Sequence, residues 1–398
     1  MNPHEANRTL VPAGPGQVST RTAQSDLPFS FCSARQRVYA ESPQGTVPNH
    51  IFLDPGLVQE ALRACGPKGG LAGALGFDRE RSSHIGSYAR LSVEEGKVDP
   101  LTPVGTLPRV LETSSEVPQA GAGYVDMVRQ ALAEIKAGRI QKVVLSRALN
   151  LHLEAEPSLS VLWNRLATQN PAAYRYLVRV GAHPNDAIPA SNAANWIGAS
   201  PELLLAKRGD RVISHPLAGS AARSGDPAQD ARAAEKLLQC AKSRREHALV
   251  VEALVERLRE HCSSIEHEPT PRVVDAGPAM HLGTVIQGKL KDPQLPSLVL
   301  AASVHPTPAV CGTPTMEARS VIQELEPTDR ELYTGAVGYC LPNGDGEWAV
   351  AIRCAKVQQR HMKLYAGGGI VDGSSPQSEL DETSYKLQTM LRAFGAGS

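Results

Sequence analysis

No stretch of the 398 residues approaches about 18 consecutive apolar residues, so the chain carries no candidate for a bilayer-spanning helix. An excess of charge of either sign is also missing. Lys and Arg total 41 against 41 Asp and Glu, which leaves no electrostatic footprint for nucleic acid or an acidic membrane surface. There is no C-x-x-C pair. The seven cysteines, at 32, 65, 240, 262, 311, 340 and 354, are odd in number and scattered, so they read as reduced thiols and not as a disulfide framework or structural zinc site. The first 26 residues lack the apolar run of a signal peptide. No short-period repeat is visible. The glycine blocks Leu217–Ser220 and Ala366–Val371 match neither G-x-G-x-x-G nor a Walker pattern, so a nucleotide cradle is weakly supported. What remains is a soluble, cytoplasmic, globular protein without nucleic acid or membrane partners. Its length suffices to bury a substantial core.

The sequence does have abundant punctuation. Residues Met1–Ser25 are polar, carry Pro and Gly, and read as mobile. Phe29–Thr113 mixes short apolar runs with Gly-rich turns, which suggests strands and short helices. Pro100–Gln119 is rich in Pro, Thr and Ser and reads as a surface linker. Tyr124, Met127, Val128, Ala131, Leu132 and Ile135 then recur at helical spacing, and Gly138 stops that helix. Lys142–Leu153 is Val- and Leu-rich and reads as a strand. Asp230–Cys262 is helical in period, with residues 240–246 polar enough to allow a break. Val304–Pro314 (VHPTPAVCGTP) cannot continue a helix or a central strand and reads as a rigid loop. Near the C-terminus, two strands flank the hairpin signal Asn343-Gly344-Asp345-Gly346. A further strand ends in AGGGIV, and Ser375-Pro376 opens a final helix to about Phe394. Strands and helices alternate without βαβ regularity, which favours an α+β fold with mainly antiparallel sheets.

Several charged residues sit where surface chemistry would not put them. Taken as one strand, Glu347–Ala355 puts Ala349, Ala351, Arg353 and Ala355 on one face, a lone guanidinium among methyl groups. Such a face leaves room for a carboxylate held bidentately by Arg353, or the arginine pairs with a neighbouring helix. Glu379, Glu382 and Lys386 share a helix face, and Glu246 continues the apolar stripe Leu249, Val250, Ala253 and Leu254. A carboxylate continuing an apolar stripe is costly unless paired or metal-bound, and carboxylates on two helices suit Mg2+. Ordinary i,i+4 pairing of Glu382 with Lys386 explains the same residues. Lys142 and Glu202, read alone, are better explained as solvated charges than as catalysts. His281 and His305 are open between ligand and core roles, with a structural role favoured for His305.

Seven blocks in one order add a resemblance. They are QKVVLSR (141–147), GASPELLL (198–205), HPLAGS (215–220), REH (245–247), the 304–314 loop, GDGEWAVAIRCA (344–355) and AGGGIV…SELDETSYKL (366–387). Together, from about Gly123 to the C-terminus, they resemble the chorismate-utilising enzymes, and among these the isochorismate synthases of catecholate siderophore pathways. The resemblance implies an α+β fold of two interlocked halves with mainly antiparallel sheets flanked by helices. It also implies a mobile segment 1–25 and one chorismate-binding domain over 26–398, in which 26–119 is an N-terminal framework and 120–398 the catalytic part. It implies Mg2+ held by Glu246 and Glu382, with Glu379 one layer further out. Lys142 then corresponds to a general base for water at ring carbon 2, and Glu202 to a general acid for the hydroxyl leaving carbon 4. Gly219, Ser220, Arg353, Gly367 and Lys386 are implied around the substrate carboxylates. Lys142 and Ala218 argue for water as nucleophile and against ammonia or a covalent lysine intermediate. Ala309, where many salicylate synthases carry Thr, argues for stopping at isochorismate. A salicylate synthase and a non-catalytic chorismate-binding subunit are the rival readings, siderophore supply is not firmly separated from menaquinone supply, and a monomer is expected.

Overall fold

The computed structural model of the chain describes residues 27–96, 105–115, 122–181 and 193–396, so the expected mobile segment 1–25 lies outside the described residues. The fold is a mixture of helices and antiparallel sheet; every strand pairing among the described residues is antiparallel. Seventeen strands form one continuous ladder. From the edge strand Cys262–His267 it runs through Ile286–Leu290, Arg211–His215, Leu203–Arg208, Gly346–Val350 and Ala336–Cys340. It then passes into N-terminal strands: Gly70–Leu75, His84–Glu95, Gln36–Thr46 and Phe29–Cys32. It returns through Tyr174–Val180, Ala194–Ser200, Cys354–Gln358 and His361–Val371 to Lys142–Leu153. A separate three-stranded sheet joins Leu217–Ala222, Ala279–Gly283 and Arg272–Asp275.

Helices cover the faces that need burial. The helix Ala122–Lys136 and the C-terminal helix Pro376–Phe394 pack on the strands Lys142–Leu153 and His361–Val371. Ser375 and Pro376 occupy the N-cap and first helical position, and Gly395, at φ 91°, ends the helix in the left-handed conformation. The long helical segment does break, at Cys240, extended at ψ 111°, between Pro227–Gln239 and Ala241–Arg259. The second of these helices buries Val250, Leu254 and Leu258 against Leu298–Leu300, Val304 and strand residues Leu204 and Leu205. The apolar run before the proline-rich loop is itself the helix Ser297–Val304, buried nearly all round. No helix among the described residues is long and apolar enough to cross a membrane.

Two expectations need correction. Glu347–Ala355 is not one strand. Gly346–Val350 ends before a bend over residues 351–353, and Cys354–Gln358 begins a new strand with a different neighbour. Arg353 sits in the bend at φ 52°, a region that a residue with Cβ occupies only when its surroundings enforce it. Here Ala199 N donates to Arg353 O at 3.1 Å and Tyr176 Oη to Ile352 O at 3.3 Å. The bend also resets the alternation, so Cys354 packs in the same cluster as Ala349 and Ala351. The second correction concerns the linker. Within Pro100–Gln119, residues Val110–Ser115 form an edge strand on Lys142–Leu153, because that strand's outer edge there has no other partner to satisfy its backbone. Residues 100–104 and 116–119 of that linker lie outside the described residues.

Candidate active site

The site is a cleft whose lining brings together residues from distant segments of the chain. Of the eleven residues singled out from the sequence, nine line it: Glu202, Gly219, Ser220, Glu246, Ala309, Arg353, Gly367, Glu382 and Lys386. Lys142 and Glu379 are not part of that lining: Lys142 lies against Glu246 of the cleft wall, and Glu379 against Lys242. The proline-rich loop reaches the cleft through Ala309 and Val310. Its end is not all loop: Gly312-Thr313 pairs with Val143 and Lys142, which ties the loop to the lysine-bearing strand.

One wall is set by a bulge. The pairing of Leu217–Ala222 with Ala279–Gly283 slips between Ala218 and Ser220, and Gly219 at φ 72° takes up the extra residue. A Cβ on Gly219 would also lie 2.9 Å from Ser243 Cβ. The bulge sets Ser220 opposite His281. Arg353 Nη2 lies 3.0 Å from His281 Nε2, and a guanidinium only donates, so Nε2 accepts and Nδ1 carries the proton. His281 Nδ1 then donates to Gly219 O at 3.1 Å and lies 3.0 Å from Ser220 Oγ, which donates to Glu382 Oε1 at 3.1 Å. Burial, and then the Arg353 charge, push the His281 pKa down to about 3, in agreement with a neutral ring. Arg353 has no carboxylate partner among the described residues, and its buried Nε has no acceptor. A pairing with a neighbouring helix is therefore not its role. An orphaned guanidinium donor in a cleft is a place for an anionic ligand group.

Glu202 and Lys142 are both buried, at 4% and 0% exposure, so neither is a solvated charge. Glu202 lines the cleft, with Leu217 N donating to its Oε1 at 3.3 Å. Burial outweighs that hydrogen bond and the nearby Lys142 and Arg353 charges, and lifts its pKa to about 7. Lys142 Nζ lies 3.0 Å from Glu246 Oε1 as a charge contact without hydrogen-bond alignment. Gly369, two residues before Val371, the register partner of Lys142, makes this approach possible. A Cβ there would fall 2.1 Å from Glu246 Oε1 and 3.2 Å from Lys142 Cε.

Each of the three carboxylates singled out as metal ligands has a lysine partner. Glu246 has Lys142, Glu382 has Lys386 at 2.6 Å, and Glu379 has Lys242 at 2.5 Å. The Glu382–Lys386 pair expected at i,i+4 exists, but it is buried in the cleft wall and not solvated. Burial and then the Glu382 charge push the Glu379 carboxyl up. Burial acts the same way on Glu382, but Lys386 outweighs it and holds that carboxyl below the usual range. Among the described residues no three His, Cys, Asp or Glu side chains form a ready-made metal cluster. A hard divalent ion does not require one, since Mg2+ takes one or two carboxylates and completes its shell with water and ligand oxygens. Glu246 and Glu382, both on the cleft surface, supply that donor chemistry, and buried Glu379 Oε2 has no hydrogen-bond partner. The residues fit the group.

Some contributors were not singled out from the sequence. Tyr333 and Thr334 line the cleft, and Thr334 holds φ 61°, which no sequence signal announces for a β-branched residue. Lys242 was findable, because it precedes Glu246 by four residues and so shares its helix face. His305 has the structural role favoured for it: it is buried, and its Nε2 lies 3.0 Å from Gly76 O. All seven cysteines are free thiols, six of them buried.

Comparison with known proteins agrees with this geometry. A family profile described as "Chorismate binding enzyme" matches residues 95–395. Isochorismate synthase DhbC of Bacillus subtilis (strain 168) is 46% identical over 272 residues, 68% of this chain and 67% of its own length. The vibriobactin-specific isochorismate synthase of Vibrio cholerae is 42% identical over 276 residues, 69% of this chain and 67% of its own length. A crystal structure assigned to a 2,3-dihydroxybenzoate-specific isochorismate synthase, DhbC from Bacillus anthracis, superposes with a TM-score of 0.86 at 40% identity, over 94% of this chain and 97% of that one.

Proposed function

The chain belongs to the family of chorismate-binding enzymes, and we propose that it is an isochorismate synthase supplying a siderophore pathway, an isomerase that adds water at ring carbon 2 and expels the hydroxyl of carbon 4. The observation that carries the mechanism is Glu202: a cleft-lining carboxyl that burial keeps substantially protonated at neutral pH, in the same site as a fully buried lysine. Lys142, as the neutral amine, takes the proton from water as its oxygen bonds to carbon 2. The ring double bonds shift, and Glu202 protonates the hydroxyl that leaves carbon 4, so water is consumed and released in equal amounts. Arg353, through the guanidinium donor that the protein leaves unpaired, and Lys386 hold substrate carboxylate. Gly219, Ser220 and Gly367 shape the wall beside it, and Ala309 keeps the loop side of the slot small.

Mg2+ would be held by Glu246 and Glu382, with Glu379 and its partner Lys242 behind them, and supplies positive charge to a ring carboxylate when bound. His281 and Ser220 tie Arg353 to Glu382, so the carboxylate clamp and the metal ligand keep one relative position. The enzyme acts in the cytoplasm as a monomer, with chorismate as its small-molecule partner.

The test is incubation of the purified protein with chorismate and Mg2+, with and without chelator, with products resolved by chromatography. Isochorismate forms only with metal, and Lys142→Gln removes it. Salicylate with stoichiometric pyruvate would move the chain to the lyase-competent branch. Chorismate binding without turnover would leave a non-catalytic binding subunit.

A further inference from the structure

Behind the cleft wall lies a buried ion pair that touches no substrate position. Arg330 and Glu326 have side chains only 2% and 4% exposed. Both Arg330 Nε, at 2.8 Å, and Nη2 donate to the Glu326 carboxylate. Nη2 also donates to Val144 O at 2.6 Å, and Nη1 to Val310 O at 2.8 Å and Thr334 Oγ1 at 3.3 Å. All five N–H donors are thereby used. Glu326 Oε1 in turn accepts from Ser146 N at 2.7 Å, and the guanidinium lies 4.4 Å over the Phe77 ring.

These partners are not scattered. Val144, Val310 and Thr334 all line the cleft, and they belong to three segments far apart in sequence: the lysine-bearing strand, the proline-rich loop and the Tyr333–Thr334 turn. A buried ion pair is weak grounds for stability, because apolar groups of similar volume often replace one at no net cost. What an apolar pair cannot reproduce is a planar fork that fixes several carbonyls at set distances. We infer that Arg330, held by Glu326, is a positioning residue that sets the width of the slot between the Lys142 strand and the Ala309–Val310 loop, and so the alignment of the ring with Lys142 and Glu202.

This inference rests on the isochorismate synthase reading, and the wild-type protein is the control that separates the two. If the wild type makes no isochorismate, that reading fails; if it does, only the variants bear on Arg330. Three variants suffice: Arg330→Lys, which keeps the charge but not the fork; Glu326→Gln; and the double variant Arg330→Met with Glu326→Leu, which leaves no unpaired buried ion. Folded fraction is read by near-UV circular dichroism, and kcat and KM are expressed per folded molecule. The expected result in every variant that folds is a kcat lower by about tenfold to a hundredfold, as for small misplacements of reacting groups, with KM changed much less. Arg330→Lys should recover no more than part of the loss. A purely structural role would lower the melting temperature or the folded fraction and leave kcat per folded molecule at the wild-type value in all three. That result would overturn the inference.

Discussion

Glu202 shows how burial chooses a chemical role for a residue. Its carboxyl titrates near 7 in the folded protein against an ordinary value of 4.5, because desolvation of the charged form outweighs the Leu217 amide and the surrounding cations. As the proton donor, it makes the wild-type rate fall as pH rises through about 7. Glu202→Gln should lower kcat by about 10²- to 10⁴-fold, the usual worth of a positioned acid, and remove that limb from the pH profile of the residual activity. The stability effect has a definite sign. Between 4.5 and about 7 the folded state binds more protons than the unfolded state, so this group's favourable contribution is complete below 4.5 and is lost as pH rises through about 7. The loss is of order 3 kcal/mol. Urea melts at pH 5 and pH 9 should therefore show the wild type losing more stability than Glu202→Gln. Equal losses would mean the carboxyl is ionised in both states at neutral pH.

Single elements carry the site by close approach of backbone to side chain. The strand His361–Val371 passes two helices at once, and the consecutive glycines 367, 368 and 369 let it do so on both faces. A Cβ on Gly368 would lie 3.1 Å from Glu379 Oε2, and one on Gly369 would lie 2.1 Å from Glu246 Oε1. The atom struck at position 369 is the end of a flexible side chain, so the backbone need not move. Gly369→Ala should fold with nearly wild-type melting temperature but with the Glu246 carboxylate displaced. Titration calorimetry should then show Mg2+ binding weakened by about tenfold or more, in the range seen when groups that orient a metal ligand are lost. Unchanged Mg2+ affinity would remove Glu246 from the metal site. Gly338 is the contrast. There a Cβ would meet Glu347 O at 2.0 Å, a backbone atom inside the sheet, and substitution acts on the fold.

At the scale of the molecule, the N-terminal strands are part of the same ladder as the catalytic ones. Phe29–Cys32 pairs with Tyr174–Val180, and Gly70–Leu75 pairs with Ala336–Cys340, each bridging more than a hundred residues. We therefore propose that residues 26–398 unfold as one unit, with 26–119 as framework. A fragment of residues 120–398 would bare backbone edges of three strands, Tyr174–Val180, Ala336–Cys340 and part of Lys142–Leu153, the second of them buried at every residue. It should show no cooperative thermal transition and should aggregate, while the full chain melts in a single calorimetric transition. A soluble, active fragment would separate framework from catalytic part as independent domains.

Features that depend on neighbours along the chain are legible in the amino-acid sequence alone. The C-terminal helix is bounded by Ser375-Pro376 and Gly395, the hairpin by Asn343–Gly346, and the strand Lys142–Leu153 by its composition, because capping, turn geometry and side-chain alternation act over a few residues. The ordered motif blocks likewise name nine residues that the fold brings to one cleft. Where local alternation is extended too far it fails. The bend at Arg353 comes from contacts with Ala199 and Tyr176, more than 150 residues away, and no period within Glu347–Ala355 contains it. The same holds for the burial of Lys142, the lysine partners of Glu246 and Glu379 and the five-donor lock at Arg330. The types of these residues are written in the sequence. Their charge states and directions depend on desolvation and on partners from distant segments, and those exist only once the ladder has closed and the helices have packed against it.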